Sequence, residues 1–444
     1  MKFTKSLSLL LALSLLLAMV GCSAQEQPTA ATTEATEPTQ QTTEATTEAT
    51  EPDLSSDITH KYLTDNPELI ARRETVEADV RKQANYIWRC EEELVYTTVS
   101  NVEPDQVSPS KQLVLEAGLL YQGIPYSYGG SSLAGFEDQL GEPDENGIRG
   151  LSGMDWRIMS GGSKETALVG TDCYGTIMKA WSKINASVIH STIRYMVPDS
   201  GYLPVGKYTS GDIENPNTEN VCATNGEQTM YEAYALLQAG DMVIRREPSG
   251  ASHARFVTEV RIVRDAAGEI DPYSSTVTII EQTTTYFRNR VNYTDETLGE
   301  AVYQFYGIDK EFKFKALFNS GYLPVTCKEL IDPTPIAEPQ ITDSQTVHTL
   351  DTLFTGVLSC NWYMDNVFVT ITDQNGTVVQ KLNMVAQRGG TKEIDLETFS
   401  TEYPLRVQGA LDPDALAPGQ YRCTMTVRLG SEEEFIIRDF PFTR

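Results

Sequence analysis

Two hydrophobic periods follow one another along this chain, and their order limits the fold more than any other feature. Up to about residue 237, apolar residues recur at helical spacing. Asn66-Pro67-Glu68 reads as a helix start, with Asn as N-cap and Pro at the first helical position. Val76, Val80, Ala84, Ile87 and Trp88 continue that helix. Ser108-Pro109 opens a second helical run through Leu113, Val114, Ala117, Leu120 and Tyr121, ended by Gly123-Ile124-Pro125. A third spans about 172–184, with Ile177, Ala180, Trp181 and Ile184 as its apolar face, and 230–237 makes a fourth. Beyond 240 the pattern alternates, which predicts strands over 241–246, 253–263, 275–285 and 312–318. Helices first and sequential strands after predict an α+β domain with its helices packed on an antiparallel sheet.

Pro333, Pro335 and Pro339 form a stiff linker over 331–340. Past it, 341–444 reads as all β. Segments 367–371 and 378–382 flank Asn375-Gly376, a strong hairpin signal. Gly419-Gln420-Tyr421-Arg422-Cys423 resembles the corner tyrosine and cysteine of an immunoglobulin-like sandwich. Trp362 lies too close to Cys360 for a true immunoglobulin domain, so the expectation is the sandwich and not the family. A Cys360–Cys423 disulfide is a candidate if the chain lies outside the cytoplasm. The seven cysteines contain no CxxC step, so zinc is not indicated.

The N-terminus reads as a targeting segment. Lys2 and Lys5 precede a short apolar run over 6–20 that ends at Ala18-Met19-Val20-Gly21-Cys22. This resembles the bacterial lipoprotein signal, and the resemblance implies lipidation of Cys22 and an anchor on the outer face of the cell membrane. Residues 23–59 hold no Lys or Arg, eight acidic residues and three copies of Thr-Thr-Glu-Ala-Thr. Such a segment cannot repay its ordering entropy, so 23–60 is expected to be a disordered, self-repelling tether. The domain it carries spans 61–330. With 35 basic against 62 acidic residues and a net charge of −27, the chain repels polyanions, which argues against nucleic acid as partner. A monomer is expected.

Two short motifs carry the chemistry. Thr171-Asp172-Cys173-Tyr174-Gly175 opens the third helix, where amide dipoles favour a thiolate. His253 leads a strand after the turn Pro248-Ser249-Gly250, in reach of such a nucleophile. A third group usually orients the imidazole. Glu281 and Gln282, on the next strand, are the candidates, on opposite faces, and Glu281 is preferred because a carboxylate stabilises an imidazolium. His60, in the tether, His190 and His348 are poorer bases. One further feature has no explanation in the sequence: Ser-Gly-Tyr-Leu-Pro-Val occurs at both 200–205 and 320–325.

Gly123-Ile124-Pro125-Tyr126-Ser127-Tyr128-Gly129-Gly130, then Asp172-Cys173-Tyr174-Gly175, then Gly240-Asp241, then His253-Ala254 resemble, in order, the blocks of the NlpC/P60 family. Those are papain-like cysteine peptidases that cut peptidoglycan stem peptides. The resemblance implies a papain-like fold with Cys173 as nucleophile and His253 as general base. It also implies that Tyr126 and Gln282 line the substrate or oxyanion site and that Asp172 faces the free amine of the peptide. A glutamate as third residue is similar to the related CHAP amidases. No cofactor or metal is implied. Tyr174 stands where the family usually has Ser, and 131–170 and 198–228 read as inserted surface loops, with Trp156 and Arg157 as substrate contacts. Two alternatives remain: a non-catalytic surface lipoprotein that binds wall or carbohydrate, and an acyltransferase or amidase on the same scaffold.

Overall fold

The computed structural model describes residues 56–97, 108, 112–127, 132–152, 157–160, 163–166, 170–186, 202–210, 217–249, 251–332, 339–343, 347–385, 391–398 and 406–444. The leader with Cys22, the tether as far as 55, Trp156, Pro333 and Pro335 lie outside these residues.

The chain starts with β1 (Ser56–His60) and α1 (Pro67–Asn85). Asn66 caps α1 by accepting from the Glu68 amide, and Pro67 sits in its first turn, as the sequence implies. The expected tether boundary moves: 56–60 is a strand hydrogen-bonded to the middle of the sheet, and His60 Nε2 lies 2.9 Å from the Leu237 carbonyl. Ile87 and Trp88 leave α1 for β2 (Ile87–Cys90), followed by β3 (Leu94–Thr97). The helix expected from Ser108 onward is not formed. Its residues make β4 (Gln112–Leu115) and β5 (Leu120–Gln122), with Gly118 at φ 78° turning the chain between them. Leu113-Val114-Leu115 fits a buried strand as well as a helical face, and the turn decides between them.

The stretch expected as a loop over 131–170 is partly ordered, into α2 (Leu133–Glu137), β6 (Arg149–Leu151), β7 (Arg157–Ser160) and β8 (Ser163–Thr166). Then come α3 (Cys173–Ser182), β9 (Leu203–Pro204), α4 (Thr218–Asn225) and α5 (Glu227–Ala235). The strands β10 (Met242–Arg246), β11 (Ser252–Arg264) and β12 (Thr276–Gln282) match the alternating runs. The last run stops earlier than expected, at α6 (Thr284–Arg288). After β13 (Asn292–Thr294) and β14 (Ala301–Gln304) comes β15 (Tyr306–Lys313), whose exposed Asp309-Lys310-Glu311 hides it from an apolar pattern. The strand expected over 312–318 is instead α7 (Phe314–Asn319), followed by β16 (Leu323–Thr326).

The main sheet runs β15-β12-β11-β10-β16-β9, with β1 on β11, and all its pairings are antiparallel. A smaller sheet, β13-β14-β5-β2-β6, contains two parallel pairings. The coarse α+β expectation with antiparallel sheets holds. Helices α1 and α3 lie on the side of the main sheet where Gln282 points: Thr176 Oγ1 donates to Gln282 Oε1 at 3.1 Å, and Gln83 Nε2 reaches the Thr176 carbonyl. Trp181 Nε1 donates to Gly240 O at 2.9 Å. Gly240 (φ 97°) opens the Gly-Asp turn before β10. Asp241 there forms a buried ion pair with Arg73 of α1 at 2.9 Å, so one turn ties sheet and both helices together.

Beyond the linker, β17 (Gln340–Thr342), β18 (Val357–Asp373), β19 (Val378–Val385), β20 (Thr391–Asp395), β21 (Arg406–Gly409), β22 (Gln420–Leu429) and β23 (Glu434–Thr443) share one nine-stranded sheet. The β18–β19 hairpin turns at Asn375-Gly376, as the dipeptide predicts. Tyr421 donates its hydroxyl to the Ala417 carbonyl at 2.8 Å, a corner contact. No bridge joins Cys360 and Cys423; all six cysteines among the described residues are free thiols. The remaining two strands of this sheet are β7 and β8, paired through β21. The hairpin that precedes Cys173 therefore belongs to the C-terminal sheet. α3 is also fastened to the C-terminal region: the Lys179 ammonium pairs with Asp365, both buried, and Asn185 Nδ2 donates to Asn361 O at 2.9 Å.

Candidate functional site

Cys173 is the first residue of α3, and its spacing within Asp-Cys-Tyr-Gly is a helix cap. Asp172, extended at φ −115°, accepts from the Gly175 amide through Oδ1 at 2.6 Å. A Cβ on Gly175 would lie 2.4 Å from Thr171 Oγ1 and 3.0 Å from Asp172 Oδ1, so the cap requires glycine. One carboxylate oxygen of Asp172 is thus committed to holding the helix start. Tyr126 reaches the same place through backbone pairing. Thr171 N donates to Pro125 O at 3.0 Å and Ser127 N to Thr171 O at 2.8 Å, in a parallel bridge between Tyr126 and Thr171. The Pro-Tyr step and the Asp-Cys step are therefore neighbours in space.

His253 and Glu281 meet. The imidazole Nε2 lies 2.7 Å from Glu281 Oε2, as the preference for Glu281 over Gln282 expects. The same oxygen accepts from Arg255 Nε at 2.8 Å, and Oε1 accepts from the Tyr286 hydroxyl at 3.1 Å. Burial alone would raise the Glu281 pKa, but Arg255 and His253 outweigh it and hold the carboxyl well below its usual range. Arg255 is itself enclosed, its guanidinium 3.8 Å from the Phe312 ring centroid and 4.4 Å from that of Tyr322. Sequence reading missed Arg255, Tyr286 and Tyr322. Arg255 was legible in principle, two residues after His253 on the same strand face.

Gln282 is not the partner of His253. Adjacent residues of β12 point to opposite faces, and Gln282 turns toward α3. There Nε2 donates to Ile124 O at 2.7 Å and Oε1 accepts from Thr176, so its amide fastens the helix rather than waiting for a substrate.

The two halves of the site thus belong to different faces of the sheet. Thr176 lies over Gln282 near the end of β12, and Trp181 lies at Gly240, whose amide bonds Val257 further down β11. α3 therefore begins near the end of the sheet where His253 sits and runs away from it, with Cys173, its first residue, buried. Tyr322 stacks under Arg255 in the His253 half. Its hydroxyl is pushed up to about 12, chiefly by burial and against Arg255 and Arg245, with Glu281 and Cys173 adding to the rise.

Among the described residues no three His, Cys, Asp or Glu side chains gather as metal ligands, and no helix is long and apolar enough to cross a membrane. A scan against protein-family models finds no match, and searches of curated proteins and of solved structures find none either.

Proposed function

We propose that this chain is a cysteine hydrolase with a papain-like α+β domain, cutting amide bonds of cell-wall stem peptides. The observation that supports it most is the carboxylate–imidazole contact of Glu281 and His253 at the end of the sheet where the helix of Cys173 begins. In this reading the Cys173 thiolate attacks the peptide carbonyl, and the C–N bond breaks to leave a thioester as His253 gives its proton to the departing amine. Water then attacks the thioester, His253 takes its proton, and the acid product leaves the restored thiol. Tyr126 lines the site beside Thr171, and Asp172 faces the peptide's amine. The chain would hang from lipidated Cys22 on the outer face of the membrane, with its C-terminal region an immunoglobulin-like sandwich.

A second reading, a non-catalytic surface lipoprotein on a degenerate hydrolase fold, draws on one observation. Glu281 is shared with Arg255 and Tyr286, the pattern of a structural ion-pair network. Cys173→Ala decides between them. On the hydrolase reading it abolishes cleavage of defined muropeptides and leaves the melting temperature within a few degrees; turnover that survives the substitution excludes Cys173 as nucleophile. The products also separate peptidase from amidase or acyl transfer.

A further inference from the structure

The repeated hexapeptide has a structural counterpart. The described parts of its two copies, in β9 and β16, pair with each other: Pro204 lies opposite Val325 and Leu203 opposite Thr326, and Val205 N donates to Pro324 O at 3.0 Å. The copies thus meet antiparallel through their Pro-Val steps, 204–205 against 324–325, in a local two-fold relation, while Leu203 faces Thr326 just past the repeat and Leu323 pairs with Ile244 of β10. Their tyrosines, one residue before each strand, are both buried, and they serve different halves of the site.

Tyr202 lies along α3. Its hydroxyl is 2.8 Å from that of Tyr174 and 3.7 Å from the Met178 sulfur, and its ring is 6.1 Å from that of Trp181. Residues 174, 178 and 181 form one stripe of that helix, starting beside Cys173. Tyr322 serves the other half. Its ring supports the guanidinium of Arg255 at 4.4 Å and that of Arg245 at 5.5 Å, and Arg255 holds the oxygen of Glu281 that holds His253. The backbone of Tyr322 is fixed in turn by the Tyr234 hydroxyl on its carbonyl at 2.7 Å and by its own amide on Leu317 O at 3.0 Å.

We propose that the paired hexapeptides form a brace that registers the Cys173 helix against the His253–Glu281 pair, with Tyr202 and Tyr322 as positioning residues. The proposal rests on the reading of Cys173 as nucleophile and names what aligns it. Because the thiol's helix and the imidazole lie on different faces of the sheet, something must fix one against the other around its end. A ribbon with one tyrosine on each half does so.

The test is the pH dependence of Cys173 alkylation by iodoacetamide in the full chain, with the label located by peptide mass; it needs no substrate. Tyr322→Leu, which removes the ring under Arg255, should move the alkylation midpoint up by about one pH unit and slow labelling at neutral pH about tenfold. Tyr322→Phe keeps the ring and should stay within about twofold of wild type. Tyr202→Phe deletes one oxygen and should slow labelling about threefold, Tyr174→Phe should do the same, and the double variant should lose no more than either. A reactive wild-type thiol whose profile is unmoved by Tyr322→Leu overturns the brace and leaves the hydrolase reading intact. Should Tyr322→Leu not fold, an unchanged profile in Tyr202→Phe overturns it equally. A wild-type Cys173 no more reactive than a free thiol overturns the hydrolase reading, and the brace with it.

Discussion

Replacing Glu281 by glutamine keeps the shape of the side chain and removes its charge. Three groups lean on that carboxylate: His253 at 2.7 Å, Arg255 at 2.8 Å and the Tyr286 hydroxyl at 3.1 Å. The imidazole can give up its proton and stay neutral; the guanidinium cannot. Arg255, enclosed between Phe312 and Tyr322, would be left as an uncompensated buried cation. Breaking a buried pair in this way costs about 3–5 kcal/mol. The aromatic faces on both sides of the guanidinium return about 1–2 kcal/mol of that if the pocket stays dry, so a net loss of about 1–4 kcal/mol is expected. Chemical denaturation of wild type and Glu281→Gln measures it. Arg255→Met in the Glu281→Gln background should recover about 1–3 kcal/mol, because the two residues are coupled. A loss below about 1 kcal/mol, or strict additivity of the two substitutions, refutes the account of Glu281 as the counter-charge of Arg255. The pH dependence has a definite sign. The folded pKa of Glu281 is depressed, so its contribution is present above the unfolded carboxyl value and is lost as pH falls through the folded value. Wild type should therefore lose stability on acidification below about pH 4.5, and Glu281→Gln should lose less over the same interval.

The Lys179–Asp365 pair gives a second expectation. Burial would raise the Asp365 carboxyl, and Lys179 outweighs it to hold the group below its usual range. Asp365→Asn should cost about 3–5 kcal/mol in denaturant unfolding, whereas Lys179→Met with Asp365→Leu should be neutral or stabilising; equal losses in both variants would show that the contact is not an ion pair. Thiol titration of unreduced, unfolded protein should count six free thiols besides Cys22, and a count of four would restore the Cys360–Cys423 bridge.

What the sequence made legible was local. Asn66-Pro67 marks its helix start, Asn375-Gly376 its hairpin and Asp172-Cys173 its cap, because each signal and its structure lie within a few residues. Glu281 was legible because alternation on a strand leaves only two choices of face. Errors arose where a short apolar run suits two periods, as at Leu113-Val114-Leu115, or where a strand carries charge outward, as at Asp309-Lys310-Glu311. The remainder depended on distant residues. Nothing near Gln282 shows that Ile124 and Thr176 will occupy its amide, and nothing near Tyr202 shows that the strand after it pairs with the strand that follows its twin.

The hairpin of β7 and β8 also sets an order of events in synthesis. The partner of β7, β21, is made about 250 residues later, which at ribosomal rates is about 12–50 s. Throughout that interval the segment leading into Cys173 has no strand to join, and for most of it Lys179 has no Asp365. The helix of Cys173 can be assembled early, but the hairpin before it reaches its final setting only once β21 has been made.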